Sequence, residues 1–178
     1  YNHPSIYIWG ILNECASDTE YGKSCYKAQF ELIESLDKTR PRSLSSCRFK
    51  TDICFDLVDV VSYNIYPKWY HNTPVAEYLD DLYKWIQTTP GEGKPFLITE
   101  VGAGAIYGYR TPAKVKWSEE YQVQALEEQL NAILSYNDCS GVYIWQFCDV
   151  RVTNDWWNTR PRTMNNKGIV DEYRRPKL

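Results

Sequence analysis

Apolar and polar positions along this chain repeat with two periods, one suited to strands and one to helices. Residues 5–12 (SIYIWGIL) are a nearly unbroken apolar run that ends in Asn13-Glu14, the pattern of a strand buried on both faces. From Glu20 to Lys38, Tyr26, Phe30, Ile33 and Leu36 recur at helical spacing, and the turn Thr39-Arg40-Pro41-Arg42 ends that helix. A short strand is predicted near Leu44 to Phe49, then a second over Asp59 to Tyr66, rich in β-branched and aromatic residues. Thr73 as N-cap with Pro74 at the first helical position opens a helix carrying Leu79, Leu82 and Ile86 on one face. After Gly91 and Gly93, the run Pro95 to Glu100 repeats the earlier signature of an apolar strand closed by a carboxylate. Ser118 caps a third helix, with Glu119 and Glu120 against its N-terminal dipole and Val123, Leu126, Leu130 and Ile133 turned inward. Gly141 to Phe147 supplies the last strand.

Five buried strands alternating with three amphipathic helices predict an α/β fold with a parallel sheet and right-handed crossovers. A complete (β/α)8 TIM barrel takes about 250 residues. The 178 residues present fit its C-terminal part, about strands four to eight, as one domain over residues 1–178. An opening apolar run with no leading methionine reads as a piece of something longer. An open half-barrel exposes two sheet edges, so a homo-oligomer is an expectation.

Composition narrows the classes of partner. Twenty basic and 23 acidic residues give a net charge of −3, which offers no global attraction to nucleic acid or to an anionic membrane. No stretch approaches the roughly 20 apolar residues of a membrane span, and no signal peptide opens the chain, so a soluble, cytoplasmic protein is expected. The charge is uneven: Arg160, Arg162, Lys167, Arg174, Arg175 and Lys177 against Asp171 and Glu172 make residues 160–178 +4, leaving −7 elsewhere. That tail reads either as a solvated face or as a local anion site. The six cysteines (Cys15, Cys25, Cys47, Cys54, Cys139, Cys148) form no CxxC pair, and several lie in apolar segments, so buried free thiols are expected. With His3 and His71 the only histidines, no metal site is expected.

The chemistry is carried by the two carboxylates at strand ends. In α/β barrels the working residues sit at the C-terminal ends of strands, and Glu14 and Glu100 both occupy that position. Glycosidic cleavage with retention needs such a pair: one attacks the anomeric carbon, while the other protonates the leaving oxygen and later activates water, with carboxyl groups about 5–5.5 Å apart. The nucleophile should stay ionised through hydrogen bonds, and the acid should be held protonated by partial burial. Gly102, Gly104 and Gly108 follow a strand but are spaced GxGxxxG, with no helix starting there, which argues against a dinucleotide site.

Several segments in order resemble glycoside hydrolase family 2, which includes β-galactosidases and β-glucuronidases. Residues 2–9 (NHPSIYIW) leading to Asn13-Glu14 resemble the acid/base strand of that family, and residues 96–102 (FLITEVG) its nucleophile strand. Residues 117–122 (WSEEYQ), 143–147 (YIWQF) and 166–169 (NKGI) are similar to further family blocks. The resemblance implies that Glu14 is the acid/base and Glu100 the nucleophile, with no metal or organic cofactor. It also implies that Asn13 contacts the sugar 2-hydroxyl, that Tyr66 hydrogen-bonds Glu100, that Trp145 floors the sugar subsite and that Tyr70 lies near the sugar. Trp9 and Trp85 read as core residues. Asn165-Asn166-Lys167 resembles the Asn-x-Lys motif that holds the substrate carboxylate in β-glucuronidases; on that likeness Asn165 and Lys167 bind it, with a further contact from Arg160 or Arg162. Two departures are Val101 after the nucleophile, where an aromatic is usual, and the long segment 148–162 with Trp156-Trp157. The implied substrate is a carbohydrate, foremost a β-D-glucuronide; a β-galactosidase and an inactive sugar-binding half-barrel are the alternatives.

Overall fold

Thr19 opens the first helix: its backbone is extended and its hydroxyl accepts from the Gly22 amide at 3.0 Å. The computed structural model describes residues 3–153 and 159–178. Helix α1 (Glu20–Leu36) stops before the predicted Lys38 because Asp37 turns extended. The Asp37 carboxylate accepts from Trp9 Nε1, the Thr39 amide and hydroxyl, and Arg40. Helix α2 (Val75–Ile86) starts one residue later than predicted, with Pro74 rather than Thr73 in the cap position. Pro74 has ψ 137°, outside the helix, and supplies no side-chain cap. Helix α3 (Glu119–Leu134) starts as predicted, with Ser118 Oγ accepting from the Tyr121 amide at 3.2 Å.

Strands β1 (Trp9–Asn13), β2 (Arg42–Ser46), β3 (Val60–Asn64), β4 (Phe96–Val101) and β5 (Cys139–Ile144) form one sheet, all neighbours parallel. Spatial order follows chain order, β1-β2-β3-β4-β5. A doubly wound sheet reverses direction partway; this one never does, which is the winding of a barrel wall and gives the fold as the later part of a (β/α)8 barrel. An antiparallel pair that the sequence did not suggest, β6 (Val150–Arg151) with β7 (Met164–Asn165), lies beyond β5.

The core lies between the sheet and its helices. Val61 and Tyr63 of β3 and Phe96 and Ile98 of β4 meet Phe30 of α1, Leu79, Leu82 and Ile86 of α2 and Ile133 of α3, all essentially inaccessible. Strand β3, in the middle, is buried along its whole length. Strand β1 is only half-buried, contrary to its apolar run, because it is a sheet edge. Two further expectations are corrected. Leu36 of α1 is exposed, as are the Cys25 and Cys47 thiols, leaving Cys54 as the fully buried cysteine. The innermost face of α3 is built from Gln122, Ala125 and Gln129 as well as Ile133, with Val123, Leu126 and Leu130 only partly covered. Those glutamines tie down loops at the C-terminal end of the sheet: Gln122 Nε2 donates to the Ala103 and Gly168 carbonyls, and Gln129 Nε2 to those of Pro67 and Gly102.

Candidate active site

Period-two alternation would send Asn13 and Glu14, or Thr99 and Glu100, to opposite faces of the sheet. In β4 a register slip falls at Thr99, whereas in β1 a slip precedes Asn13 and Glu14 itself leaves the strand conformation. Between Gly10↔Ser43 and Asn13↔Ser45, β1 advances one residue more than β2. Between Tyr63↔Ile98 and Asn64↔Glu100, β4 advances one more than β3. Such irregularities re-aim side chains next to functional sites. Glu14 adds a left-handed backbone, φ 52°, an uncommon and strained conformation for a residue with a Cβ.

Asn64, at the end of β3, joins the two strands. Its Nδ2 donates to Asn13 Oδ1 and to Glu14 Oε1, both at 2.9 Å, and its Oδ1 accepts from Thr99 Oγ1 at 2.8 Å. Beside it the Tyr66 hydroxyl donates to Glu100 Oε2 at 2.5 Å. Glu14 and Glu100 thus line the same cleft, of about 440 Å³, with Asn13, Cys47, Asn64, Tyr66, Tyr70, His71, Tyr78, Trp145, Arg160, Asn165 and Lys167. Burial pushes the Glu100 carboxyl above its ordinary value; the Tyr66 hydrogen bond opposes that shift and the charge of Glu14 adds to it. The expected partial burial of Glu14 is not met: Glu14 is exposed, and Glu100 is half-buried.

The other end of the cleft is cationic. Lys167 is 2% exposed, and its Nζ donates to the Tyr70 hydroxyl at 2.9 Å while lying 4.9–5.3 Å from the ring centroids of Tyr70, Tyr66 and Trp69. No carboxylate among the described residues lies within ion-pair distance of it, whereas the other buried lysine, Lys177, pairs with Asp149 at 2.9 Å. Burial lowers the Lys167 ammonium from its ordinary value, against the stabilising Tyr70 hydrogen bond. Burial also works to raise the Tyr70 phenol, but the hydrogen bond and charge of Lys167 outweigh it and hold Tyr70 below its ordinary value. Asn165 Oδ1 accepts from the Lys167 amide at 3.2 Å and fixes the local turn. Lys177 donates to Asp149, Ala105 O and Asn166 O, so a buried clamp sits directly behind the segment that carries Lys167.

Of the residues read from sequence, Asn13, Glu14, Tyr66, Tyr70, Glu100, Trp145, Asn165 and Lys167 come together around this cleft. Arg162 does not: its guanidinium turns to Glu172 Oε1 at 2.7 Å, and the arginine lining the cleft is Arg160, within 3.5 Å of the Tyr70 hydroxyl. Within the basic tail, Arg162, Arg175 and Lys177 pair with Glu172, Asp171 and Asp149, while Arg160 and Lys167 line the cleft. Trp156 and Trp157 lie outside the described residues. Asn64, Thr99, Cys47, His71 and Tyr78 were not anticipated. Asn64 and Cys47 sit at or just beyond strand ends, the same positional signal as Glu14 and Glu100. No group of three or more His, Cys, Asp or Glu side chains suited to a metal ion occurs among the described residues.

With that geometry established, similarity to known proteins is specific. The model of glycosyl hydrolases family 2, TIM barrel domain, matches residues 1–178. A solved β-galacturonidase from Eisenbergiella tayi bound to galacturonate is 77% identical and superposes with a TM-score of 0.98, covering 100% of this chain and 32% of that one. A solved β-glucuronidase from Ruminococcus gnavus in complex with D-glucuronic acid is 28% identical with a TM-score of 0.86, covering 99% and 32%. The β-glucuronidase of Rattus norvegicus is 32% identical over 189 residues, 99% of this chain and 28% of that protein. The chain thus spans about a third of the length of these relatives. It belongs to glycosyl hydrolase family 2, within the TIM barrel domain.

Proposed function

We propose that the protein containing this chain is a retaining exo-β-uronidase that removes terminal β-linked hexuronic acids, with galacturonides as the preferred substrates. The observation that carries this reading is Lys167: a buried ammonium with no carboxylate partner among the described residues, opening into the cleft that holds Glu14 and Glu100. An unpaired buried charge is costly, and a substrate carboxylate would compensate it through charge-assisted hydrogen bonds shared with Asn165. The 77% identity with a β-galacturonidase supports galacturonate as the sugar. Glucuronides are the second reading, supported by the likeness to β-glucuronidases of 28–32% identity.

In this mechanism Glu100 attacks the anomeric carbon while Glu14 gives its proton to the departing oxygen; Glu14 then takes a proton from the water that releases the sugar. Tyr66 holds the Glu100 oxygen that does not attack. Asn64 holds Glu14 and Asn13 in fixed relation.

The test is kcat/KM of the full-length protein and its Lys167→Ala variant on nitrophenyl β-galacturonide, β-glucuronide and β-galactoside. Loss of a hydrogen bond to a charged group, about 1.5–3 kcal/mol, lowers uronide hydrolysis about 10- to 150-fold and leaves the galactoside nearly unchanged. Equal losses on uronide and galactoside would overturn the uronate assignment. A wild-type preference for the galactoside would favour the β-galactosidase alternative.

A further inference from the structure

The cleft does not end at its catalytic pair. A second hollow of about 400 Å³ adjoins it, shares His71 and Tyr78 with it, and is completed by Phe49, Thr73, Glu77 and Asp81. Its wall is a run of three rings: His71 lies 4.9 Å from Tyr78 at 28°, and Tyr78 lies 4.8 Å from Phe49 at 32°. Consecutive residues divide the work here, with Tyr70 on the ammonium of Lys167 and His71 on the ring column. Nothing in the proposed chemistry uses this hollow.

Its position relative to the two carboxylates indicates what it receives. The Glu14 amide donates to Ser45 O at 2.8 Å, so Glu14 stands against the end of β2, and the chain continues from there through Cys47 to Phe49. The Lys167 ammonium, by contrast, lies against the Tyr66, Trp69 and Tyr70 rings. An acid must face the leaving oxygen, so a sugar whose carboxylate is held at Lys167 directs its leaving group past Glu14 toward Phe49 and Tyr78.

Resting on the uronidase reading, we infer that Phe49, His71, Tyr78 and Glu77 form a leaving-group subsite for a neutral saccharide ring. Aromatic walls cover the apolar faces of a pyranose, and Thr73, Glu77 and Asp81 offer acceptors for its hydroxyls. The charge balance selects among sugars: Lys50 pairs with Asp81 at 2.5 Å, while Glu77, in the first turn of α2, has no ion-pair partner among the described residues and keeps this rim negative, which disfavours a second uronate. The substrates are then β-uronosyl units linked to a neutral sugar, in preference to a chain of uronic acids.

Phe49 and Glu77 are exposed and lie outside the catalytic cleft, so their variants should fold. The full-length protein, Phe49→Ala and Glu77→Gln are compared on methyl β-galacturonide, on galacturonic acid β-linked to galactose, and on a β-linked digalacturonide. Wild type should prefer the mixed disaccharide over the methyl glycoside. Phe49→Ala should lower kcat/KM for the mixed disaccharide about 3- to 10-fold, the range for a lost ring contact, with the methyl glycoside unchanged. Glu77→Gln should raise kcat/KM for the digalacturonide about 2- to 5-fold, the effect of removing one solvent-exposed repulsion. Equal losses on the methyl glycoside and the mixed disaccharide, or none on either, would overturn the subsite. A wild-type preference for the digalacturonide would overturn the charge argument. Failure of wild type on every uronide would instead overturn the uronidase reading itself.

Discussion

Tyr66→Phe isolates one hydrogen bond. The ring stays, and with it the packing against Tyr70 at 5.3 Å and beneath Lys167 at 5.1 Å; only the donor to Glu100 is removed. That donor favours the ionised carboxylate, while burial and the Glu14 charge favour the protonated one. Removing it takes away the largest of the influences that oppose them, leaving only Asn64 and the Lys167 charge on that side, so the Glu100 pKa moves further up. A hydrogen bond to a charged group contributes about 1.5–3 kcal/mol, which at 1.36 kcal/mol per unit is about 1–2 pKa units. In the full-length enzyme the acidic limb of kcat/KM, which reports the free enzyme, should move to higher pH by that amount. Below that limb the variant should be about 10- to 100-fold slower than wild type, and the gap should narrow as pH rises and Glu100 ionises again. The assay is kcat/KM on a nitrophenyl uronide across about pH 4 to 8. An acidic limb that stayed in place or moved to lower pH would refute the reasoning, because the hydrogen bond would not be supporting the charged form.

Four further outcomes are expected of the full-length protein. Glu100→Ala should abolish turnover, with azide restoring part of it and giving a product of inverted geometry; near wild-type rates would remove Glu100 from the mechanism. Glu14→Ala should spare the glycosylation step for activated leaving groups and lose most activity on poor ones; equal losses on both would argue against an acid role. Lys177→Met leaves Asp149 buried without its partner and should destabilise by about 3–5 kcal/mol in urea unfolding, with Asp149→Asn added to it recovering much of the loss; an unchanged midpoint in the single variant would contradict the clamp. Gly102→Ala would place a Cβ 2.3 Å from the Trp145 carbonyl oxygen and push the end of β5 away from the cleft. A displacement near 1 Å there should lower kcat about 100-fold, and an unaffected kcat would show that Trp145 does not need its present position.

Much of this was legible in the sequence because the apolar runs and their polar ends are local signals. Glu14 and Glu100 could be placed at strand ends from pattern alone, and Ser118 announced its helix. What the pattern could not carry was register. The slips before Asn13 in β1 and at Thr99 in β4 depend on how neighbouring strands pair, and the left-handed backbone of Glu14 lies outside any strand period. The face of α3 was misjudged for a related reason: Gln122 and Gln129 are buried because loop carbonyls from distant parts of the chain need donors, a demand invisible in helical periodicity. The choice between Arg160 and Arg162, which the sequence left open, turned on Glu172, ten residues beyond Arg162.

The hydrogen bonds of Asn64 separate durability from adaptability. Glu14 and Glu100 are located relative to each other through β3, so their spacing depends on how tightly the sheet curves, a property spread over many buried strand residues. Lys167, Tyr70, His71 and Phe49 lie on segments beyond the strands, where residues can be exchanged without moving the carboxylates. A scaffold divided this way can change the sugar or the leaving group it accepts while keeping the bond it breaks. Attempts to redirect this protein's specificity should therefore begin in those segments and leave Asn64 and Thr99 untouched.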